Sequence, residues 1–205
     1  MRSAIVAGID VGGEKKGFHA VTLLKRRVLA TFTSGSAENV AVWCIEQGAA
    51  AVGIDAPSCW SVSGRSRPCE RALASWGISA FSTPAQIIGE AHPFYRWMVN
   101  GLALYTALTS RYRLYDGRSS LVRPFCFETF PHAIACALAG KRLSADHKRM
   151  DRRRILKHAG LAVQLLTSID QLDAALCALS ARHVLGGRFY SHGDAAEGFI
   201  LVPRL

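Results

Sequence analysis

Five carboxylates stand where chemistry could use them. Asp10 closes the apolar run AIVAGID, Asp55 closes AVGID, and Glu128 closes the short aromatic stretch PFCFE; Asp170 and Asp173 are spaced D-x-x-D near the carboxyl end of the chain. Carboxylates brought together repel one another and raise each other's pKa, so a cluster persists only where cations neutralise it. Hard oxygen donors suit Mg2+ or Mn2+, and two such ions about 3.5 to 4 Å apart form the arrangement that cleaves phosphodiesters. The expected ligand set is Asp10, Asp55, Glu128, Asp170 and Asp173, holding two ions. Simpler uses compete. One of the strand-end acids could cap the helix that follows it, and Asp170, in a first helical turn, could serve the helix dipole. Asp173 is harder to explain that way, because it sits among Leu, Ala and Cys and needs a metal ion or a base as partner.

Basic residues surround these acids. Lys15 and Lys16 lie in VGGEKKG directly after Asp10, where either could hold a phosphate or neutralise charge in a transition state. His132, four residues after Glu128, is a candidate proton relay or a helix-start histidine bonded locally. Arg65, Arg67 and Arg71 crowd round Glu70 in a loop entering a helix at Pro68, so they either face an anion or form an exposed loop with a salt bridge to Glu70. From Lys141 to His158 eight lysines and arginines oppose only Asp146 and Asp151. Arg149, Arg152, Arg153 and Lys157 share one helical face there, as a phosphate-backbone contact or a solvated surface. Arg111, Arg113, Arg118 and Arg123 alternate with Tyr112 and Tyr115, a mixture that pairs phosphates and stacks bases in a nucleic-acid binder and otherwise makes a solvated turn.

The elements that must position these groups follow from periodicity. Ala4 to Asp10 reads as a central strand buried on both faces. Phe18 to Leu24 and Val28 to Thr33, joined by Lys25, Arg26 and Arg27, complete an antiparallel meander. Ser36 caps a helix that ends at Gly48, and Ala50 to Ile54 returns as a strand parallel to the first. Neighbouring strands lie about 4.8 Å apart, which brings Asp10 and Asp55 together if those two are adjacent. Gly77 to Gly89 has no period and reads as loop, and His92 to Tyr112 as a long helix packed on the sheet or projecting from it. Pro124 to Phe127 is a short strand, Ala133 to Leu138 a helix, and Ser168 with Gln171 spells a capping box before the last long helix. Phe199 to Val202 is a final strand.

The whole has 205 residues, half of them hydrophobic, which suits one domain over 1-205 with a helical insertion around 77-123. A net charge of +10 points to a polyanionic partner, nucleic acid before acidic membrane. Six cysteines form no CxxC pair and no disulfide framework. With no secretory signal and no membrane-length apolar run, a cytoplasmic protein is expected.

GIDVGGEKKG, IDAPS, RPCER, FETFPHA and DQLDAALCALSA followed by EGFILVP resemble the family called domain of unknown function 429, predicted nucleases of the RNase H-like fold. The resemblance implies an α/β architecture: a mixed sheet, with an antiparallel three-strand meander plus parallel strands, and helices on both faces. RuvC-type junction resolvases are similar in placing one acid on the first strand, one at the end of the fourth and a pair on the last helix. By that likeness Asp10 and Asp55 would bind metal, and Asp170 with Asp173 would complete the site, while Glu128 has no counterpart. The implied activity is metal-dependent hydrolysis of phosphodiester bonds in DNA or RNA, and a homodimer is left open because junction resolvases form one. Two other readings stand beside it: a non-catalytic nucleic-acid-binding module of the same fold, and an actin-like or sugar-kinase nucleotide-binding protein. The last needs a second domain and phosphate loop that 205 residues do not show.

Overall fold

A computed structural model describes residues 4–118, 121, 124–144 and 146–205. Strand β1 (Ile5–Val11) is flanked by β2 (Phe18–Leu24), antiparallel, and by β4 (Ala51–Asp55), parallel; β3 (Arg27–Ser34) pairs antiparallel with β2. Beyond β4 come β6 (Phe125–Glu128), then β8 (Gly198–Pro203) and β7 (Phe189–Asp194), while the two-residue β5 (Arg113–Leu114) also pairs with β6. The order β3-β2-β1-β4-β6 joins an antiparallel meander to parallel strands, the mixed sheet expected from the sequence.

The helices cover both faces. On one side α1 (Ala37–Glu46) and α4 (Arg96–Leu108) pack over Ala7, Ile9, Val52 and Ile54. On the other, α5 (Pro131–Ala139), α6 (Lys148–His158) and α7 (Ile169–Leu185) enclose Val6, Val21, Phe125 and Phe127. Helix α2 (Pro68–Ser75) lies by the β7–β8 edge, where Cys69 and Leu73 meet Ile200 and Val202. The expected long helix is shorter than its apolar pattern, since Pro93 opens a 3-10 turn through Tyr95 before α4 starts. It packs on the sheet through Leu104, Tyr105 and Leu108. Besides the two-residue β5, two elements escaped the pattern. Helix α3 (Gln86–Ala91) leaves Ile87 and Ile88 exposed and so has no amphipathic signature, and β7 carries Ser, His, Gly and Asp because most of its residues are open to solvent.

Helix α7 is the most deeply inserted helix, with twelve of its seventeen residues buried. Its inner face is small: Ala174, Ala175, Cys177, Ala178 and Ala181 are wholly covered. It meets the sheet at Gly8 and Gly53, which are register partners on β1 and β4. A Cβ on Gly8 would stand 2.6 Å from the Cys177 carbonyl carbon and overlap the Ala174 and Ala178 backbone, and one on Gly53 would stand 2.7 Å from the Cys177 oxygen. Backbone cannot yield as a flexible side chain does, so these glycines fix how close the helix lies. Gly8→Ala is expected to cost about 3 kcal/mol or more, lowering the thermal midpoint by about 6 to 12 °C. Gly35→Ala, where nothing lies within 4 Å of the added carbon, should stay within about 0.5 kcal/mol of the parent protein in the same melts.

Candidate functional site

Asp10 and Asp55 are paired across β1 and β4 at the carboxyl ends of both strands. Just beyond Asp10, Gly12 and Gly17 close a tight turn through a 2.8 Å backbone bond, and Asn100 on α4 donates to the Gly12 carbonyl at 2.8 Å. Helix α7 brings Asp170 and Asp173 to the same place, its first turn fixed by the Ser168–Gln171 capping box. Together Asp10, Asp55, Asp170 and Asp173 line a cleft of about 380 Å³, with Lys16, Lys148, Phe81 and Trp97 among its other walls.

The electrostatics are those of crowded acids. Burial pushes the Asp10 carboxyl up to about 7, and the charges of Asp173 and Asp170 push the same way. Asp55 is held well above the ordinary carboxylate range by burial first, then by Asp10 and Asp173. The two helix acids are answered by cations. Asp170 meets Lys16 Nζ at 3.0 Å, with His19 Nε2 at 3.9 Å, while Asp173 accepts from the buried Arg152 Nε and lies 3.0 Å from Lys148 Nζ. The partner that a buried Asp173 required is therefore a base. Arg152 is 2% exposed and held by that acid, which corrects its expected place on a phosphate-binding surface.

Glu128 and Arg67 also differ from expectation. Arg67 is 1% exposed, with Nη1 donating to Glu128 Oε2 at 2.9 Å, Nη2 to Glu128 Oε1, and Nε to Glu70 Oε1 at 2.9 Å. Burial alone would lower its pKa, but Glu128 outweighs that and holds the guanidinium charged. Glu128 accepts in addition from the Ser58 amide at 2.8 Å and hydroxyl at 3.0 Å, and Glu70 accepts from Thr83. A guanidinium so enclosed cannot reach a nucleic acid. Its carboxylate partner borders the cleft with both oxygens already bonded, so it is neither a free metal ligand nor a free base.

The other expected contacts are dispersed. Lys15 is exposed in the glycine turn, and Arg65 is exposed on the loop before α2. Arg71, also exposed, donates to the Ser66 carbonyl. Arg149 donates to Thr167 O at 2.7 Å and Arg153 to Leu166 O at 2.9 Å, so both tie α6 to the segment entering α7. His132 is half-buried, 3.8 Å from Cys136 Sγ, and does not line the cleft; burial, then Arg152 and Lys148, lower its pKa. Tyr112 is buried with its hydroxyl on Cys44 O, and Tyr115 packs edge-on against Phe189 and Phe199, so neither is free to stack on a base. Arg123 lies outside the described residues.

Among the described residues, no three His, Cys, Asp or Glu side chains stand ready round a common point as a metal site. The donor chemistry of Asp10 and Asp55 nevertheless suits a hard divalent cation: both face the cleft, and neither side chain takes part in an ion pair or hydrogen bond among the described residues. Asp170 and Asp173 would join them only as Lys16 and Lys148 moved aside. Lys16 is exposed and its pair is weak in water, so that rearrangement costs little there. Sequence reasoning missed Lys148 as a cleft residue and missed the spacer glycines, although Gly-Ile-Asp occurs twice, at 8–10 and 53–55, once on each strand that ends in an acid.

Two outcomes follow from these charges. A carboxyl whose pKa is raised by folding costs nothing while protonated in both states, and withdraws stability as pH climbs from about 4 to about 7. In metal-free buffer at pH 8, Asp10→Asn should therefore melt about 4 to 8 °C above the parent protein, on the order of 2 kcal/mol, and the difference should disappear at pH 4. Arg67→Met leaves Glu128 buried without its cation and should destabilise by about 3 to 5 kcal/mol in denaturant titrations at neutral pH.

The sequence model of the family described as "Protein of unknown function (DUF429)" matches residues 8–198. Among solved structures the chain is similar to the Thermus thermophilus RuvC structure, at 17% identity with a TM-score of 0.46, over 89% of this chain and 96% of that one. No curated protein matches. Among the described residues no helix is long and apolar enough to cross a membrane.

Proposed function

We propose, from the premise that this chain belongs to the DUF429 family of proteins of unknown function, that it is a divalent-metal-dependent nuclease acting on phosphodiester bonds of DNA or RNA. The observation that carries this reading is the pairing of Asp10 with Asp55 across β1 and β4, with Asp170 and Asp173 held over them by α7. Four aspartates in one cleft of a chain with net charge +10 make little sense as a surface for polyanions. They make sense as ligands. Mg2+ or Mn2+ bound there would supply activation of water and stabilisation of the leaving oxygen.

The chain's own groups have separate tasks in this reading. Asp10 and Asp55 would hold the cation, with Asp170 and Asp173 as further candidate ligands. Lys16 and Lys148, released from their carboxylates, turn to the substrate phosphate and neutralise its charge as the bond breaks. Arg152 remains behind Asp173 and orients it. Lys15, Arg65 and Arg71, all exposed, guide the polyanion towards the cleft. His132, whose pKa burial and then the neighbouring cations lower, stands outside the cleft lining and would exchange a proton with it only through an intervening water.

A non-catalytic nucleic-acid binder is the second reading, and Lys16, Lys148 and Arg152 favour it, because they already neutralise two of the four acids. Manganese calorimetry separates the two. The nuclease reading expects saturable Mn2+ binding that Asp10→Asn and Asp173→Asn each weaken at least tenfold, with Mn2+-dependent cleavage of a mixed-sequence oligonucleotide lost in both. Tight oligonucleotide binding without any Mn2+ binding would contradict it.

A further inference from the structure

The acidic cleft lies at the amino end of α7, and a second cavity of about 560 Å³ lies at the other. From Asp173 to Arg182 the helix rises about 14 Å, so the two are separate places. Arg26, Lys141, Arg154, Arg182 and Arg188 line this second cavity, over a floor that includes the buried Ile155 and Leu179. They come from four segments: the β2–β3 turn, the chain after α5, helix α6, and the end of α7 with the turn beyond it. No Asp or Glu side chain lines it.

Four of these five cations have no carboxylate partner among the described residues. Arg154 pairs with Asp151 at 2.7 Å, but among the described residues Arg26, Lys141, Arg182 and Arg188 have no carboxylate at ion-pair distance. Arg182 donates to the Lys25 carbonyl, and burial, then the charges of Arg26 and Arg188, lower its pKa. Arg26 lies across Gly160, where an added Cβ would stand 2.8 Å from its Cδ. His183, 6% exposed, also lines the cavity, and its Nδ1 has no hydrogen-bond partner.

A helix carboxyl terminus accounts for Arg182 and His183, which complement its dipole. It does not account for Arg26, Lys141 and Arg188, brought in from elsewhere to stand against like charge. Exposed arginines usually turn apart into solvent. Gathered round a concave space with an apolar floor, and with no carboxylate at ion-pair distance from Arg26, Lys141, Arg182 or Arg188 among the described residues, they are arranged for an anion.

We propose that this cavity binds a small phosphorylated molecule, with its phosphates against Arg26, Arg182 and Arg188 and its apolar or aromatic body over Leu138 and Ile155. The volume falls in the range of about 300 to 1,000 Å³ typical of small-ligand sites, and guanidinium forks suit phosphate oxygens. A nucleic-acid backbone would use an open track of cations and have no need of an apolar floor. The site does not depend on the nuclease reading, because it shares no residue with the acidic cleft.

The test is calorimetry in EDTA, which keeps metal–phosphate complexes out of the acidic cleft. ADP, inorganic pyrophosphate and a twelve-residue single-stranded oligonucleotide are each titrated into the full chain and into Arg26→Gln/Arg188→Gln, whose two sites are exposed. The expected result is one-to-one binding of ADP or pyrophosphate, weakened at least tenfold in the variant. Arg188→Gln alone, weakened at least threefold, serves if the double variant fails to fold. Absence of binding by both small phosphates, equal affinity in parent and variant, or an effect of the substitutions on the oligonucleotide alone would each overturn the proposal.

Discussion

Helix α7 rests on bare backbone at Gly8 and Gly53, and the geometry of the acidic cleft depends on that contact. A side chain at either position would lift the helix by the thickness of a methyl group. Two residues along β1 and β4 from those glycines stand Asp10 and Asp55, and one turn along α7 from Ala174 stands Asp170. Close packing of small residues thus sets how near carboxylates from three elements can come. The approach that excludes water from the helix–sheet seam also raises the cost of their charge, so packing and electrostatics at this end of the sheet have one origin.

Charge is balanced differently on the two sides of the cleft. Next to it, Arg67, Glu70 and Glu128 form a closed network in which each charged oxygen or nitrogen has a protein partner, and the network joins the loop after β4, helix α2 and strand β6. Inside it, Asp10 and Asp55 have no such partners, while Asp170 and one oxygen of Asp173 meet cations that can leave, Lys16 from open solvent and Lys148 from a half-exposed position, the other Asp173 oxygen staying with the buried Arg152. The first arrangement gives rigidity and the second leaves room for an added cation. That contrast, more than the number of acids, separates a structural carboxylate such as Glu128, which also lines the cleft, from Asp10, Asp55, Asp170 and Asp173.

Much of this was legible in the sequence. Apolar runs ending in Asp10, Asp55 and Glu128 read correctly as strands, Ser36 and Ser168 as helix caps, and the meander with its parallel return matches the β3-β2-β1-β4 part of the sheet. The convergence of Asp10 and Asp55 followed from that order. The fate of Arg67 did not, because RSRPCER has the composition of an exposed basic loop, and only the tertiary contact with Glu128, sixty-one residues away, makes it a core residue. The same holds for Arg152, which reads as part of a basic helical face until Asp173 is set opposite it. Long-range ion pairs leave no periodic trace in a sequence. Strand β7 was lost for another reason, since a solvent-facing edge strand has little apolar alternation to detect.

Crystals soaked in MnCl2 and measured at the manganese absorption edge would test the central claim most directly. The account predicts an anomalous peak at coordination distance from both Asp10 and Asp55, with Lys148 turned away from Asp173. A peak elsewhere, or none at saturating Mn2+ with Asp173 still paired to Lys148, would contradict the assignment of these acids as a metal centre.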